Sequence, residues 1–520
     1  MKKPHSIWIS GLFSLAAFLA TLAVSIHAVR ASSDAADAAS ATIRPEAIRA
    51  VMRFLADDLL EGRGTGTRGH EIAARYVASE FEQMGLEPAG DSGTYYQKVS
   101  LRSIRIDEEH TSLSILRTGE EQGLIFGQDF VPLGDPGRTE TLVGAPLVFV
   151  GYGITAPEEG YDDYAGIDAK GKIIACLFGA PTKFETAIRA HYGSGQTKAA
   201  TASGHGAVGI ILLSSPDLEQ AYPFKDRVQD LKFPDMRWLN PQGEPNDYHP
   251  ELRGRAVLSP EATGKIFESS GRSPEEIYAA ANAGKPASIS LKVSVKIQVT
   301  SKFEELKSPN VVGRLEGSDP KLKNEYVVYS AHLDHLGIGE PVNGDAIYNG
   351  AMDNASGSAT LLEIARAYSG MNPRPRRSLV FVFVTGEELG LLGSDYFAHY
   401  PTVAKNSLVA DLNVDGNMGL LYPIADVTAR GGEHSSLNQA AREAANRLGI
   451  DLSPDPHPEQ MFFIRSDQYS FVKQGIPSLF FGVGEKSTDP NVKPSAIKAG
   501  WIKNYYHKPQ DDMNQKMDFR

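Results

Sequence analysis

Cysteine is almost absent from this chain: Cys176 is the only one among 520 residues. An intramolecular disulfide is excluded, and so is any metal site built on a pair of thiolates. Cys176 falls in the apolar run from Lys172 to Phe178, where a buried, inert strand residue is expected. Long basic runs are missing as well. None exceeds Arg374-Pro375-Arg376-Arg377, and the formal charge is −12. A nucleic-acid binder needs a basic face, so nucleic acid is not an expected partner. Internal repeats are absent. What is present is 41% apolar and 22% charged residues, with 50 glycines and 31 prolines. That composition describes a globular protein, and the length allows two or three domains.

The first 31 residues differ from the rest. Lys2 and Lys3 precede an apolar stretch from Ile7 to about Ile26, and Val29-Arg30-Ala31 offers a small-residue cleavage site, with Ala28 as a second. This pattern predicts a signal peptide over 1–31 and an exported protein, periplasmic or secreted. The competing expectation is an uncleaved anchor, since the stretch approaches spanning length. Membrane contact would then run through this segment alone. No lipobox cysteine directly follows it, so lipid attachment at that point is excluded.

Two apolar stripes at helical spacing come next. Ile48, Val51, Met52, Leu55 and Leu59 form one, and Ala73, Ala74, Val77, Phe81 and Met84 the other. A glycine-rich stretch, Glu61 to Gly69, separates them. From about Leu113 to Ala287 the texture is short strands and turns, such as Pro146–Tyr152, Lys172–Phe178 and Ala207–Leu213. From Ser288 onward strands alternate with helices, which predicts an α/β domain with a mostly parallel sheet. The expected division is a catalytic domain in two parts, 40–112 and 288–520, with an inserted β-rich module over 113–287.

Polar clusters follow the strands of the second part. Tyr326–Ala331 runs into His332-Leu333-Asp334, and Ser378–Thr385 runs into Gly386-Glu387-Glu388. Leu408–Val414 is followed by Asp415, and Ile476–Val483 is a further strand. Ligands of open α/β sheets bind beyond the carboxyl ends of the strands. With one cysteine, a zinc site here must use His and carboxylate donors. His332, Asp334, Asp353, Glu387, Glu388, Asp415 and His507 supply that set in order. In His332-Leu333-Asp334 the step of two puts both side chains on one side of an extended chain, so one can ligate and the other orient it. Asp353, in Asn349–Gly357, reads by itself, like Asn354, as a cap of the next helix rather than as a ligand. Glu387 and Glu388 are costly neighbours unless cations neutralise them, although a solvated helix start would also accept them. His507, in Tyr505-Tyr506-His507-Lys508-Pro509, has the surroundings of a surface residue and gains meaning from the others.

These motifs, His-x-Asp, Asp-Asn-Ala-Ser-Gly, Gly-Glu-Glu-Leu-Gly-Leu-Leu-Gly-Ser, Asn-x-Asp and Tyr-His, resemble the co-catalytic zinc aminopeptidases. That family also holds glutamate carboxypeptidases and glutaminyl cyclases. The resemblance covers about Arg44–Gln97 and Val311–Asp512. It implies a three-layer α/β/α sandwich and two zinc ions, with Asp353 bridging both. It assigns His332 and Asp415 to one ion and Glu388 and His507 to the other. Glu387 would be the general base, and Asp334 would orient His332. The inserted segment, with Val148–Gly153, Asp162-Asp163-Tyr164, Gly171-Lys172-Ile173 and Gly206–Ile211, resembles a protease-associated domain. Where relatives often read Ser-Asp-His, this chain has Ser466-Asp467-Gln468.

Three patterns compete with this reading. Gly64–Gly69 matches a dinucleotide fingerprint but follows a helical stretch rather than a strand. His70-Glu71 begins a zincin motif but has Ala74 where the second histidine belongs. His335 could replace His332, but its step of three points it to the other face of an extended chain. The expected function is hydrolysis of N-terminal residues from peptides, with Tyr506 as a candidate oxyanion donor. A carboxypeptidase is the alternative within the family, although the sequence places no cation for a substrate carboxylate. A non-catalytic peptide-binding protein of the same fold is the alternative outside it.

Overall fold

Every residue of Ser378–Val384 is buried. The strand alternates two apolar faces, and the fold follows from covering both. The computed structural model describes residues 35–519 except 269 and 285–287. The signal segment expected over 1–31 lies outside the described residues. The chain forms two compact units. One comprises residues up to 98, 309–456 and 467–520, and the other 99–308 with 457–466.

The strands of the first unit, in chain order, are β1 (Glu87–Pro88), β2 (Ile289–Leu315, through Val311–Leu315), β3 (Tyr326–His332) and β4 (Ser378–Val384). They continue with β5 (Leu408–Val414), β6 (Asp426–Arg430), β7 (Asp451–Ser453) and β8 (Ser478–Val483). Their spatial order is β1-β2-β4-β3-β5-β8-β6-β7. Neighbours among β4, β3, β5 and β8 are parallel, while β2 runs antiparallel to β4 and β6 antiparallel to β8.

Helices cover both faces. On one, Leu379, Phe381 and Phe383 of β4 join Leu55 of α1 (Pro45–Leu55), Val77 and Phe81 of α2 (Arg68–Gln83) and Leu361 of α3 (Gly357–Ser369). On the other, Val380, Val382 and Val384 meet Phe397 of α4 (Leu392–His399) and Phe471 of α5 (Gln468–Lys473). The unit is thus a three-layer α/β/α sandwich with a mostly parallel centre. Each fully buried Phe or Val is worth about 1.5–3 kcal/mol relative to exposure. The first apolar stripe outruns its helix. α1 ends at Leu55, and Leu59, one step further along the pattern, is 83% exposed.

The second unit is β-rich. Glu140–Phe149 pairs with Ile289–Thr300 and with Ile173–Leu177, which continues through Gly209–Leu213 to Arg255–Leu258. Cys176 is buried there, and burial pushes its thiol up to about 11. The units part at 98/99 and 308/309, whereas the sequence texture changes at 112/113 and 287/288. The strands Tyr96–Ile106 and Ile289–Leu315 run through the division, so neither boundary falls at the end of a strand. Among the described residues no helix is long and apolar enough to cross a membrane.

Candidate metal centre

Parallel pairing brings the polar clusters together. His332 ends β3 and pairs with Val384 of β4, and Ser330 pairs with Asn413 of β5. The carboxyl ends therefore coincide, and the residues after them, Glu387, Glu388 and Asp415, surround His332. Asp353 arrives on the segment entering α3. Gly350 turns there at φ +60°, where a Cβ would lie 2.1 Å from the Asp353 carbonyl oxygen and 2.5 Å from the His335 ring. His507 follows the helix Pro494–Asn504, with its ring stacked on Tyr506 at 3.8 Å.

Asp353 occupies the middle. Its Oδ1 lies 3.2 Å from His332 Nε2 and its Oδ2 3.4 Å from His507 Nε2. The same His332 nitrogen lies 3.1 Å from Asp415 Oδ1. Glu388 Oε2 lies 3.2 Å from His507 Nε2, and Oε1 lies 2.6 Å from His335 Nδ1. Donor atoms of His332, Asp353 and Asp415 fall within 4.8 Å of one another, as do those of His335, Asp353 and Glu388, and of His332, Glu387 and Glu388.

These carboxylates meet imidazoles, and that sets the electrostatics. Burial pulls the His507 pKa down, but Glu388 and Asp353 outweigh it and push the pKa up to about 10. Burial likewise disfavours charge on His332, yet Asp415, Glu387 and Asp353 raise it well above the ordinary imidazole value. Burial and Asp353 push Glu388 upward, but His335 and His507 overcome them and hold it at about 2. Glu387 is raised well above the usual carboxyl range, chiefly by burial and then by Glu388, Asp415 and Asp467, against the pull of His332. A cluster of anions this deep needs cations, and imidazole with carboxylate is a donor set zinc accepts. His335 Nε2 is buried without a hydrogen-bond partner, as an unused donor would be. The residues present fit a metal.

The structure brings His332, Asp353, Glu387, Glu388, Asp415 and His507 to one place. Asp334 is there too, but its carboxylate does not meet His332. His332 Nδ1 meets the Asp334 main-chain oxygen at 3.2 Å, while the side chain accepts from the Glu387 N–H at 3.2 Å and from Thr65 Oγ1 at 3.0 Å. His335, set aside on strand geometry, sits against Glu388. β3 stops at His332, so the period of two no longer applies beyond it. Asn354 Oδ1 accepts from Gly357 N at 2.9 Å and caps α3, which leaves Asp353 free to face the imidazoles. Glu388 is not a solvated helix start, since its side chain is 4% exposed. Gln468 is fully buried and accepts from Asn413 Nδ2 at 2.8 Å, tying α5 to β5. His70 is buried and neutral, because burial and then Arg63 push it down to about 3.

Sequence reasoning missed Asp511. Its carboxylate accepts the main-chain N–H groups of Met352 at 2.9 Å and Asp353 at 3.0 Å. Its position four residues beyond His507 was the only available sign.

Residues 310–518 match Peptidase family M28. A protein of Aspergillus oryzae described as "probable leucine aminopeptidase 2" is 30% identical over 234 residues, 42% of this chain and 43% of that one. "Leucine aminopeptidase 2" of Trichophyton rubrum is 27% identical over 230 residues, again 42% and 43%. The chain thus spans under half the length of these relatives. Among solved structures, an aminopeptidase from Aneurinibacillus sp. strain AM-1 matches over 92% of this chain and 94% of its own, at 19% identity and a TM-score of 0.46.

Proposed function

Since residues 310–518 belong to peptidase family M28, we propose that this protein is a two-zinc exopeptidase that removes N-terminal residues from peptides. The carrying observation is Asp353, which offers one carboxylate oxygen to the His332 side and the other to the His507 side. His332 and Asp415 would hold one ion, Glu388 and His507 the other, and Asp353 both. His335 is a further donor beside Glu388. Zinc, when bound, supplies a Lewis acid that acidifies water and polarises a carbonyl.

The chain's own residues do the rest. Glu387 receives a proton on its carboxylate and returns it, the task of a general base, and burial together with Glu388, Asp415 and Asp467 raises its pKa in the direction that favours holding that proton. Asp334 fixes the Glu387 main chain through the 3.2 Å contact to its N–H, which holds the backbone that carries the base. Tyr506, stacked on His507, is the candidate to steady the developing oxyanion. The names of the matched relatives support an aminopeptidase over a carboxypeptidase.

The first 31 residues would direct export, and residues 113–287 would act as a protease-associated insert. A panel of amino-acid nitroanilides, run beside dipeptides blocked at either end, tests the assignment. Cleavage of free-amine substrates and rejection of amino-blocked ones is expected. The opposite preference would make the enzyme a carboxypeptidase, and no cleavage of either set would favour a binding protein.

A further inference from the structure

The glycine-rich stretch from Glu61 to Gly69 has no part in the mechanism above, and it follows the helix α1 where a nucleotide loop would follow a strand. It delivers an arginine to the back of the metal centre. Arg63 is 1% exposed, and its hydrogen bonds go to main-chain carbonyls. Nε donates to Leu333 at 2.9 Å, Nη1 to Asn349 at 2.6 Å and to Leu55, and Nη2 to Gly350 at 3.0 Å.

Burying a guanidinium without an ion-paired carboxylate is costly, and burial lowers its pKa to about 10 although Asp334, Asp511, Asp353 and Glu388 all favour the charge. The chain accepts a second cost to place it. Glu61, Gly62 and Arg63 stand in succession at φ +50°, +67° and +50°. Two non-glycine residues in the left-handed region are unfavourable and persist only when surroundings impose them. At Gly62 the fit is closed, because a Cβ would meet the Tyr348 oxygen at 2.5 Å and the Gly337 oxygen at 2.6 Å.

Apart from Leu55 at the end of α1, the carbonyls that Arg63 holds belong to the segments of the metal centre. Leu333 lies between His332 and Asp334, and Asn349-Gly350 leads into Asp353. The same turn reaches the centre twice more. The Arg63 carbonyl accepts the His335 N–H at 3.3 Å, and Thr65 Oγ1 donates to Asp334 at 3.0 Å. A planar fork that binds four carbonyls at fixed angles locks segments together in a way a lysine ammonium cannot reproduce.

We infer that Arg63 is a positioning residue of the metal centre, fixing through the carbonyls of Leu333, Asn349 and Gly350 the two segments that present His332, His335 and Asp353 to the ions. The inference rests on the metal-centre reading above.

The test uses the full chain with Arg63→Lys and Arg63→Met, loaded with cobalt(II) as the probe. Metal affinity, the visible cobalt spectrum and the melting of the metal-free protein are measured together. Groups that orient ligands from behind typically cost about 10–100-fold in metal affinity when removed, and a weakening of that order is expected. The cobalt bands should shift in Arg63→Lys, which keeps the charge and loses the fork. Should Arg63→Met fail to fold, Arg63→Lys decides. A lysine variant with the parent's affinity and spectrum overturns the inference, and so does a lowered melting temperature with unchanged cobalt binding. A parent chain that takes up no cobalt overturns the metal-centre reading itself, which is a separate and visible failure.

Discussion

The carboxylate of Asp511 accepts the main-chain N–H of Asp353 at 3.0 Å, and so joins the segment that follows His507 to the one that enters α3. It accepts the Met352 N–H as well, at 2.9 Å, and Gln515 donates to it from the C-terminal side. Asp511→Ala would strand two buried N–H groups, at about 1–3 kcal/mol each. The metal-free variant should melt well below the parent and hold less zinc after dialysis. Calorimetry with metal analysis checks this. A variant equal to the parent in both would remove Asp511 from the frame of the site.

Asp353 and Glu387 should differ in what their loss does to metal content. Asp353→Asn weakens the carboxylate that faces both histidines, so both ions should be affected. Glu387→Gln leaves the ligand set intact. Elemental analysis after gel filtration should show the larger loss in Asp353→Asn. Equal losses would contradict the bridging assignment.

The metal-free protein should lose stability as pH rises. His507 has its pKa raised from 6.5 to about 10 by Glu388 and Asp353, although burial opposes this. A raised folded-state pKa gives stability that is complete below the unfolded value and fades as pH climbs through the folded one. The window is therefore about 6.5 to 10. Buried carboxyl groups with raised values act in the same direction lower down, as with Asp511, pushed up to about 6 mainly by burial. Melting of chelator-treated protein followed from pH 6 to pH 10 should show a steady decline, and zinc should flatten it because metal replaces the protons. A metal-free melting temperature that rises across this range would contradict the charge balance described here.

Much of this was legible in the chain. The run Ser378–Val384 reads as a strand buried on both faces, and Glu387-Glu388 after it points either to nearby cations or to a solvated helix start. The donors separated from one another by long stretches, Asp353 and His507 above all, were legible through family motifs rather than through periodicity. His335 was misplaced because alternation was extended beyond the end of β3. Arg63 and Asp511 escaped because their partners are main-chain groups, which leave no trace in side-chain patterns. The division between the two units was invisible because long strands run through it.

The most direct test of the account separates the two adjacent glutamates. Zinc is titrated into purified Glu387→Gln and Glu388→Gln while rate and bound metal are followed together. The account predicts that Glu387→Gln keeps both ions and loses about 10²–10⁴-fold in rate, the usual contribution of a general base, with no rescue by added zinc. Glu388→Gln should start short of metal and recover in part as zinc is added. Rescue of Glu387→Gln and not of Glu388→Gln would reverse the two roles, and full activity in both variants would contradict the mechanism.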